Sequence, residues 1–522
     1  MAQIAGLSDL RGAGSPGDIG TFQVPCSVLV FQFTFSGVTN YVAIRAGISG
    51  WVPVGSNANL RTVIASAQTY LAGLGGGSIF LNLIGTHVFA PTLVVTVIGI
   101  SFFGLGKSTV LQVNGAAPAK IFQVDADDVT FQNLAFDGNK AAYVSPSEID
   151  GINVINDSAR TLITGCYFYN FHNNNDHPIE VENGSAATDV VVANCHFNNT
   201  DSYSVAFASA GGHCIVYGCV VVASWGIEAG STGSYNIVAN NVIRDGVGPP
   251  IQLNFAYNIA IGNTITNCAH LRISANNCSV IGNVLMPSPN LGIEVFGVDD
   301  ALIVDNSIFG VTYGIRVDAN SDRTAVLSNR INCTRGVRID DATATNTIIM
   351  LNNFNGCTAP VVFEAGNPTV IVPTLILPFV QGTTFLSADG AAWGWEIDAA
   401  AEYAIALGHL PSAVQQVLYV KIMAVALVLE ADAMRLEING YGGASNEAFN
   451  QNTIAEANKP SATTNFAAND YVYWWLTPTA YGVSISNLLG GDSFMVKVLH
   501  EAAGGGDCAT DAVFLCAVIE YV

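Results

Sequence analysis

Two residue series run down the middle of this chain in step with each other. In "IEAGSTGSYNIVANNVIRDG" (227–246) an alternating apolar run carries Asn240 and Asn241 at its centre, although asparagine is a poor strand residue. The same polar pair recurs in "AIGNTI", "VIGNVL", "IVDNSI", "VLSNRI" and "MLNNFN". Its second member gives Asn241, Asn263, Asn283, Asn306, Asn329 and Asn353, at steps of 22, 20, 23, 23 and 24 residues. Upstream, Cys166, Cys195 and Cys219 take that slot in "ITGCYF", "VANCHF" and "VYGCVV". The other series is apolar: Ile152, Ile179, Val205, Ile227, Ile251, Leu271, Ile293, Ile315, Val337 and Val361. Two markers in step over about nine repeats identify a solenoid. The leucine-and-asparagine consensus of leucine-rich repeats is missing, and so is a helical segment in each repeat. The remaining architecture is a parallel β-helix, a coil of short strands and turns stacked on itself.

That architecture explains the asparagines. At a corner the side chain points inward while the backbone bends, and asparagine tolerates left-handed backbone angles. Its amide reaches the asparagine of the next coil, about 4.8 Å away, so a stack of them satisfies every buried polar group. Cysteine, small and weakly polar, fits the same slot.

At 522 residues the chain is too long for one domain. Only 11% of residues are charged, half are hydrophobic and 52 are glycine, which suits a turn-rich β architecture. A net charge of −22 disfavours nucleic acid as a partner, because phosphate binding needs clustered lysine and arginine. The first twenty residues lack a basic segment followed by an apolar one, so no secretory signal is expected there. The longest apolar run, 92–106, is too short for a membrane span and contains three glycines. Cysteines number 11; Cys166, Cys195, Cys219 and Cys214 follow the inward pattern and are expected as buried free thiols, while Cys508 and Cys516 are close enough in sequence to pair. No CxxC pair or histidine cluster points to zinc, and no cofactor is expected.

Three segments are expected. Residues 1–52 read as short strands, an N-terminal attachment or capping module. Residues 53–377 hold the β-helix, entered through "NLRTVIASAQTYLAGLGGGSIFLN", a helix pattern with a glycine stop that would cap the solenoid. Residues 378–522 read as strands parted by Gly, Asn and Pro turns, a jelly-roll-like β-sandwich for trimerisation or glycan binding. The fold class is all-β.

The helix, its Gly-Gly-Gly turn, "ISFFGLGKSTVLQV" and "VTFQNLAFDGN" resemble the pectate-lyase-like right-handed parallel β-helix superfamily over roughly 53–375. That superfamily hosts lyases, hydrolases, epimerases and inert fibres, so the resemblance implies fold more than chemistry. The ending "GGDSFMVKVLHEAAGGGDCATDAVFLCAVIEYV" resembles C-terminal modules of bacteriophage tail and fibre proteins, and the whole arrangement resembles a phage tailspike. The resemblance implies a virion-borne homotrimer, attached to the tail through its N-terminal module, that binds and in its enzymatic form hydrolyses a host surface glycan. A non-enzymatic adhesive fibre and a free polysaccharide hydrolase or lyase are the alternatives.

The aligned repeats allow one outward face to be read. The residue after each strand-start marker gives Asn153, Glu180, Ala206, Glu228, Gln252, Arg272, Glu294, Arg316 and Arg338. Glu180, Glu182 and Glu228 lie beside the turn residues His177, Tyr203 and Trp225, with Ala206, Ala208 and Gly230 leaving a hollow. Aromatic faces suit sugar rings, and two carboxyls two coils apart suit an inverting glycosidase, whose acid and base stand roughly 6.5–9.5 Å apart. Glu228, next to Trp225, is the expected acid, and Glu180 or Glu182 the base. Asp176 in "NFHNNNDHP" reaches for substrate or calcium, and Asp137 and Asp150 are secondary acids at Asp-Gly turns. Solvated glutamates and locally packed aromatics are the bland alternative. Further along, Arg272, Glu294, Arg316, Asp318, Arg338 and Asp340 alternate in sign as an ion-pair ladder. "GLGKST" (104–109) lacks the full phosphate-loop spacing.

Overall fold

The computed structural model describes residues 26–363 apart from short loop stretches, the longest being 115–119, 143–148 and 173–176; beyond 363 it describes the backbone of the strands. Cys508 lies outside the described residues, as does the side chain of Cys516. The chain divides into two compact units, Met1–Thr324 and Ala325–Val522.

The first unit is a parallel β-helix. Each coil lays down one strand in each of three sheets. Sheet A is built from strands such as Thr130–Gln132 and Leu162–Thr164, sheet B from Ala135–Asp137 and Tyr167–Tyr169, and sheet C from Ile152–Val154 and Ile179–Val181. Every strand pairs in parallel with its counterpart one coil on, for example Phe136 with Phe168 and Phe168 with Phe197. Those three rings stack inside the coil, with centroids 4.7 and 5.1 Å apart. Short strands suffice because each inward Ile, Val, Leu or Phe is fully buried, worth about 1.5–3 kcal/mol apiece.

The polar pair divides the corner's two tasks between its members. The first residue takes the left-handed bend: Asn194, Gly218, Asn240, Gly262, Gly282 and Asp305 have φ of 52, 64, 53, 65, 61 and 55°. The second is the buried one. Asn241 donates to Asn263 Oδ1 at 3.0 Å, Asn263 to Asn283 at 2.9 Å and Asn283 to Asn306 at 3.0 Å. The left-handed angle thus belongs to the residue before the ladder asparagine. A second ladder runs at another corner: the Cys214 amide donates to Asn236 Oδ1, and the Asn236 amide to Asn258 Oδ1, both at 2.9 Å. Cys166, Cys195, Cys214 and Cys219 are buried and free.

The N-terminal end of the coil is closed by a helix and a hairpin. Helix α1 (Leu60–Ala72) starts at Asn59, whose side chain accepts from the Thr62 amide, and buries Leu60, Val63, Ile64, Ala67 and Leu71. Gly76, at φ 117°, ends the following turn, and a Cβ there would meet the Ile98 carbonyl at 2.7 Å. Strands Cys26–Phe35, Val38–Gly47 and Gly50–Asn57 each run antiparallel to the next, and the first of them joins sheet A beside Gly77–Asn82. No helix among the described residues is long and apolar enough to cross a membrane.

The second unit opens with the same strand-and-turn pattern. Ala325–Leu327 pairs in parallel with Thr347–Met350, and Arg335–Ile339 with Ala359–Phe363. The amide of Asn329 donates to Asn352, not Asn353, at 3.0 Å. Parallel pairing ends at Val370–Ile371, and all later pairings are antiparallel. Strand Thr374–Gly382 gives its first half to Ala512–Tyr521 and its second to Tyr403–His409, so it threads two antiparallel sheets.

Candidate active site

Sheet C builds the outward column that the repeat spacing predicts. Asn153, Glu180, Ala206, Glu228, Gln252, Arg272, Glu294 and Arg316 are register partners on successive coils. Its two halves differ in chemistry.

The half running from Arg272 is a closed ionic ladder. Glu294 hydrogen-bonds His270 at 3.0 Å, accepts from Arg316 at 3.2 Å and forms an ion pair with Arg272 at 3.3 Å, and Arg316 also meets Asp318 at 3.0 Å. The His270 hydrogen bond, with the two guanidiniums, holds the Glu294 carboxyl below its ordinary range. In the second unit Arg338 pairs with Asp340.

The half containing Glu180 gathers acids. Asp150 is fully buried at the turn before Ile152 and accepts from the His177 backbone amide at 3.0 Å. Asn153, also fully buried, donates from one amide nitrogen to Asp150 at 3.1 Å and to Glu180 at 2.8 Å. Lys120 lies 3.4 Å from Asp150 and 3.6 Å from Glu182. One lysine serves three carboxyls. Burial first, then the charge of Asp150, pushes the Glu180 carboxyl up to about 8, against the pull of Lys120. Burial and the Asp150 charge thus favour the protonated form of Glu180. Lys120 was not singled out by the sequence, and Asp150 only as a secondary acid. Lys120 precedes the first clear repeat, so no spacing signal marked it.

Glu228 stands two coils from Glu180, about 9.6 Å at ~4.8 Å per coil. Asn254 donates to it at 2.6 Å. The three aromatics form a file beside the column. His177 and Tyr203 have ring centroids 6.5 Å apart, and Tyr203 meets Trp225 edge-to-face at 5.7 Å. The His177 Nδ1 atom also contacts Ser202 Oγ at 3.2 Å. Trp225 is 40% exposed and rests on Gly248, where a Cβ would come within 3.0 Å of the indole. The expected hollow is filled. Ala206 is 2% exposed, and the Tyr203 side chain reaches two coils along to donate its hydroxyl to Gln252. Burial and the nearby Glu228 charge push the Tyr203 phenol up. Asp176 lies outside the described residues. Among the described residues no group of three or more His, Cys, Asp or Glu is placed to hold a metal ion.

No protein-family model matches this chain, and no curated protein does. Among solved structures it is similar to the Dettilon tailspike protein, at 12% identity and a TM-score of 0.47 over 89% of this chain and 90% of that one. It is similar to the tailspike of E. coli bacteriophage HK620 in complex with a pentasaccharide, at 12% and 0.47 over 91% and 92%. A third is the enzymatically active domain of tailspike protein 2 of bacteriophage CBA120, at 10% and 0.36 over 94% and 89%. The β-helix itself is established by the register of the three sheets rather than by these likenesses.

Proposed function

We propose that this chain is a phage tailspike or fibre protein whose β-helix binds and hydrolyses a host surface polysaccharide. The observation that carries the reading is the placement of Glu180, bridged to Asp150 through Asn153 and set two coils from Glu228. Backbones about 9.6 Å apart let the two carboxyls take up the roughly 6.5–9.5 Å that leaves room for a water, as inverting hydrolysis requires. The roles are the reverse of those the sequence suggested. Glu180 protonates the leaving oxygen, since Asp150 and burial keep its proton on. Glu228, oriented by Asn254, takes a proton from the attacking water. Glu182, tied to Lys120, helps set the charge around Glu180. Trp225 offers an exposed indole for a sugar ring to stack on, and substrate displaces the Tyr203 hydroxyl that spans the column. The chain acts as a homotrimer on the virion, attached through residues 1–52.

The test is cleavage of a host-derived polysaccharide by single variants. Glu180→Gln and Glu228→Gln should each lower the rate by about 10²–10⁴-fold, with glycan affinity within a few-fold of the parent. Full activity in both variants would sink the hydrolase. Binding with no cleavage by the parent chain would leave the non-enzymatic fibre, a reading favoured by the Tyr203 hydroxyl spanning the column to Gln252.

A further inference from the structure

A cleft of about 430 Å³ opens at the turns where the chain leaves sheet B, and none of its lining belongs to the acid cluster. Asp137, Asn139, Lys140, Asn170, His172 and Asn199 line it. Its size is that of a small-molecule site, in the range of roughly 300–1,000 Å³. We propose that it is a second, non-catalytic site that binds a neutral saccharide.

Three successive coils build it. Asn139, Asn170 and Asn199 each take the left-handed bend after a sheet B strand, with φ of 52, 58 and 55°. Fixed backbones hold their amides in line. Asn199 donates to Asn170 Oδ1 at 2.9 Å, and Asn170 to Asp137 Oδ1 at 3.3 Å. Asp137, 8% exposed, also accepts from Gln112 at 2.8 Å and from the Asn139 backbone at 2.9 Å. Lys140 crosses two coils to pair with Asp201 and contact Asn199 Oδ1 at 3.5 Å. The charges are therefore committed: Lys140 is matched by Asp201, and Asp137 is filled by three donors. A free anion finds no unmatched cation here. Uncharged amides with both donors and acceptors remain, which is what vicinal hydroxyls require. His172, a lining residue, holds one polar atom without a partner among the described residues. His172 Nδ1 is buried without a hydrogen bond among the described residues, and a buried polar group left unmet calls for a ligand or water.

The test measures binding, so it is independent of the hydrolase reading. The full chain carrying Glu180→Gln is titrated with di- to hexasaccharides of glucose, galactose and N-acetylglucosamine, and with a glucuronic acid oligomer. Histidine ¹⁵N resonances are followed. The expected result is a saturable shift of the His172 ring nitrogens with a neutral oligosaccharide. The exposed substitution Ala141→Trp, which fills the cleft without touching the ladder, should weaken that binding at least tenfold, whereas Glu228→Gln should leave it unchanged. No shift of His172 with any neutral sugar, a preference for the glucuronic acid oligomer, or binding unaffected by Ala141→Trp would each overturn the proposal.

Discussion

At the residue scale, the polar pair separates a backbone task from a side-chain task, and substitutions should separate them too. Asn263 Oδ1 accepts from both the backbone and side-chain nitrogens of Asn241, while its own amide serves Asn283 and the Val238 carbonyl. Asn263→Ala leaves several buried groups unpaired, each at about 1–3 kcal/mol. Asn240→Gly keeps the left-handed bend and should cost well under that, which urea unfolding will show. Glu180 gives a second residue-scale prediction. Its carboxyl holds a proton to about pH 8 when folded, against an ordinary value of 4.5. Between those values the folded state binds the extra proton, so this contribution is greatest below about pH 4.5, declines as pH rises, and is gone above about 8. The melting temperature should fall across that window, and Glu180→Gln should flatten the slope. Hydrolysis should likewise fall as pH passes 8. A third prediction concerns thiols. Cys333 and Cys357 lie 3.6 Å apart, and that contact brings the Cys357 thiol down to about 7, whereas burial pushes up Cys195 and Cys214. Iodoacetamide at pH 7.5 should label Cys357 before Cys166, Cys195, Cys214 or Cys219, as peptide mass spectrometry can read.

At the scale of strands and corners, sheet C carries two kinds of chemistry on one surface, a ladder of ion pairs and a cluster of acids. Removing one charge from its ionic half should affect stability alone. Glu294→Gln leaves Arg272 and Arg316 facing a neutral amide and should cost about 1–2 kcal/mol, with no change in glycan cleavage. This surface was legible in the sequence because a strand alternates with period two and the coil length barely varies. Counting from Ile179, Val205 and Ile227 therefore put Glu180, Ala206 and Glu228 in register. Reach was not legible. Nothing in the spacing says that Tyr203 extends to Gln252, or that Lys120 swings onto Asp150. The division of bend and ladder between the two members of the pair was not legible for a related reason. Asparagine suits both roles, and only burial shows that Asn241 lies inside while Asn240 turns the corner. The cleft at Asp137 and His172 depends on three turns far apart in sequence, and an Asp-Gly-Asn turn looks the same with or without a cavity beside it.

At the scale of the molecule, the proposed trimer is tested by mass. Light scattering on the full chain should give three times 54.6 kDa, and a chain ending before Thr374 should dissociate if the antiparallel strands hold the trimer together. A monomer in both cases would count against the tailspike reading. The capped end of the coil carries a consequence of another kind. A parallel solenoid with a bare end offers a row of unmet amides and carbonyls to any like chain, and so invites growth into filaments. Helix α1 and the antiparallel hairpin from Cys26 onward convert that end from a template into a terminus. The repeats themselves impose no length limit, because each coil passes the same donors and acceptors to the next. A lineage of such chains can therefore gain or lose a whole coil of some twenty residues in one step without orphaning a polar group, and move its acid cluster along the axis while the stopper stays in place.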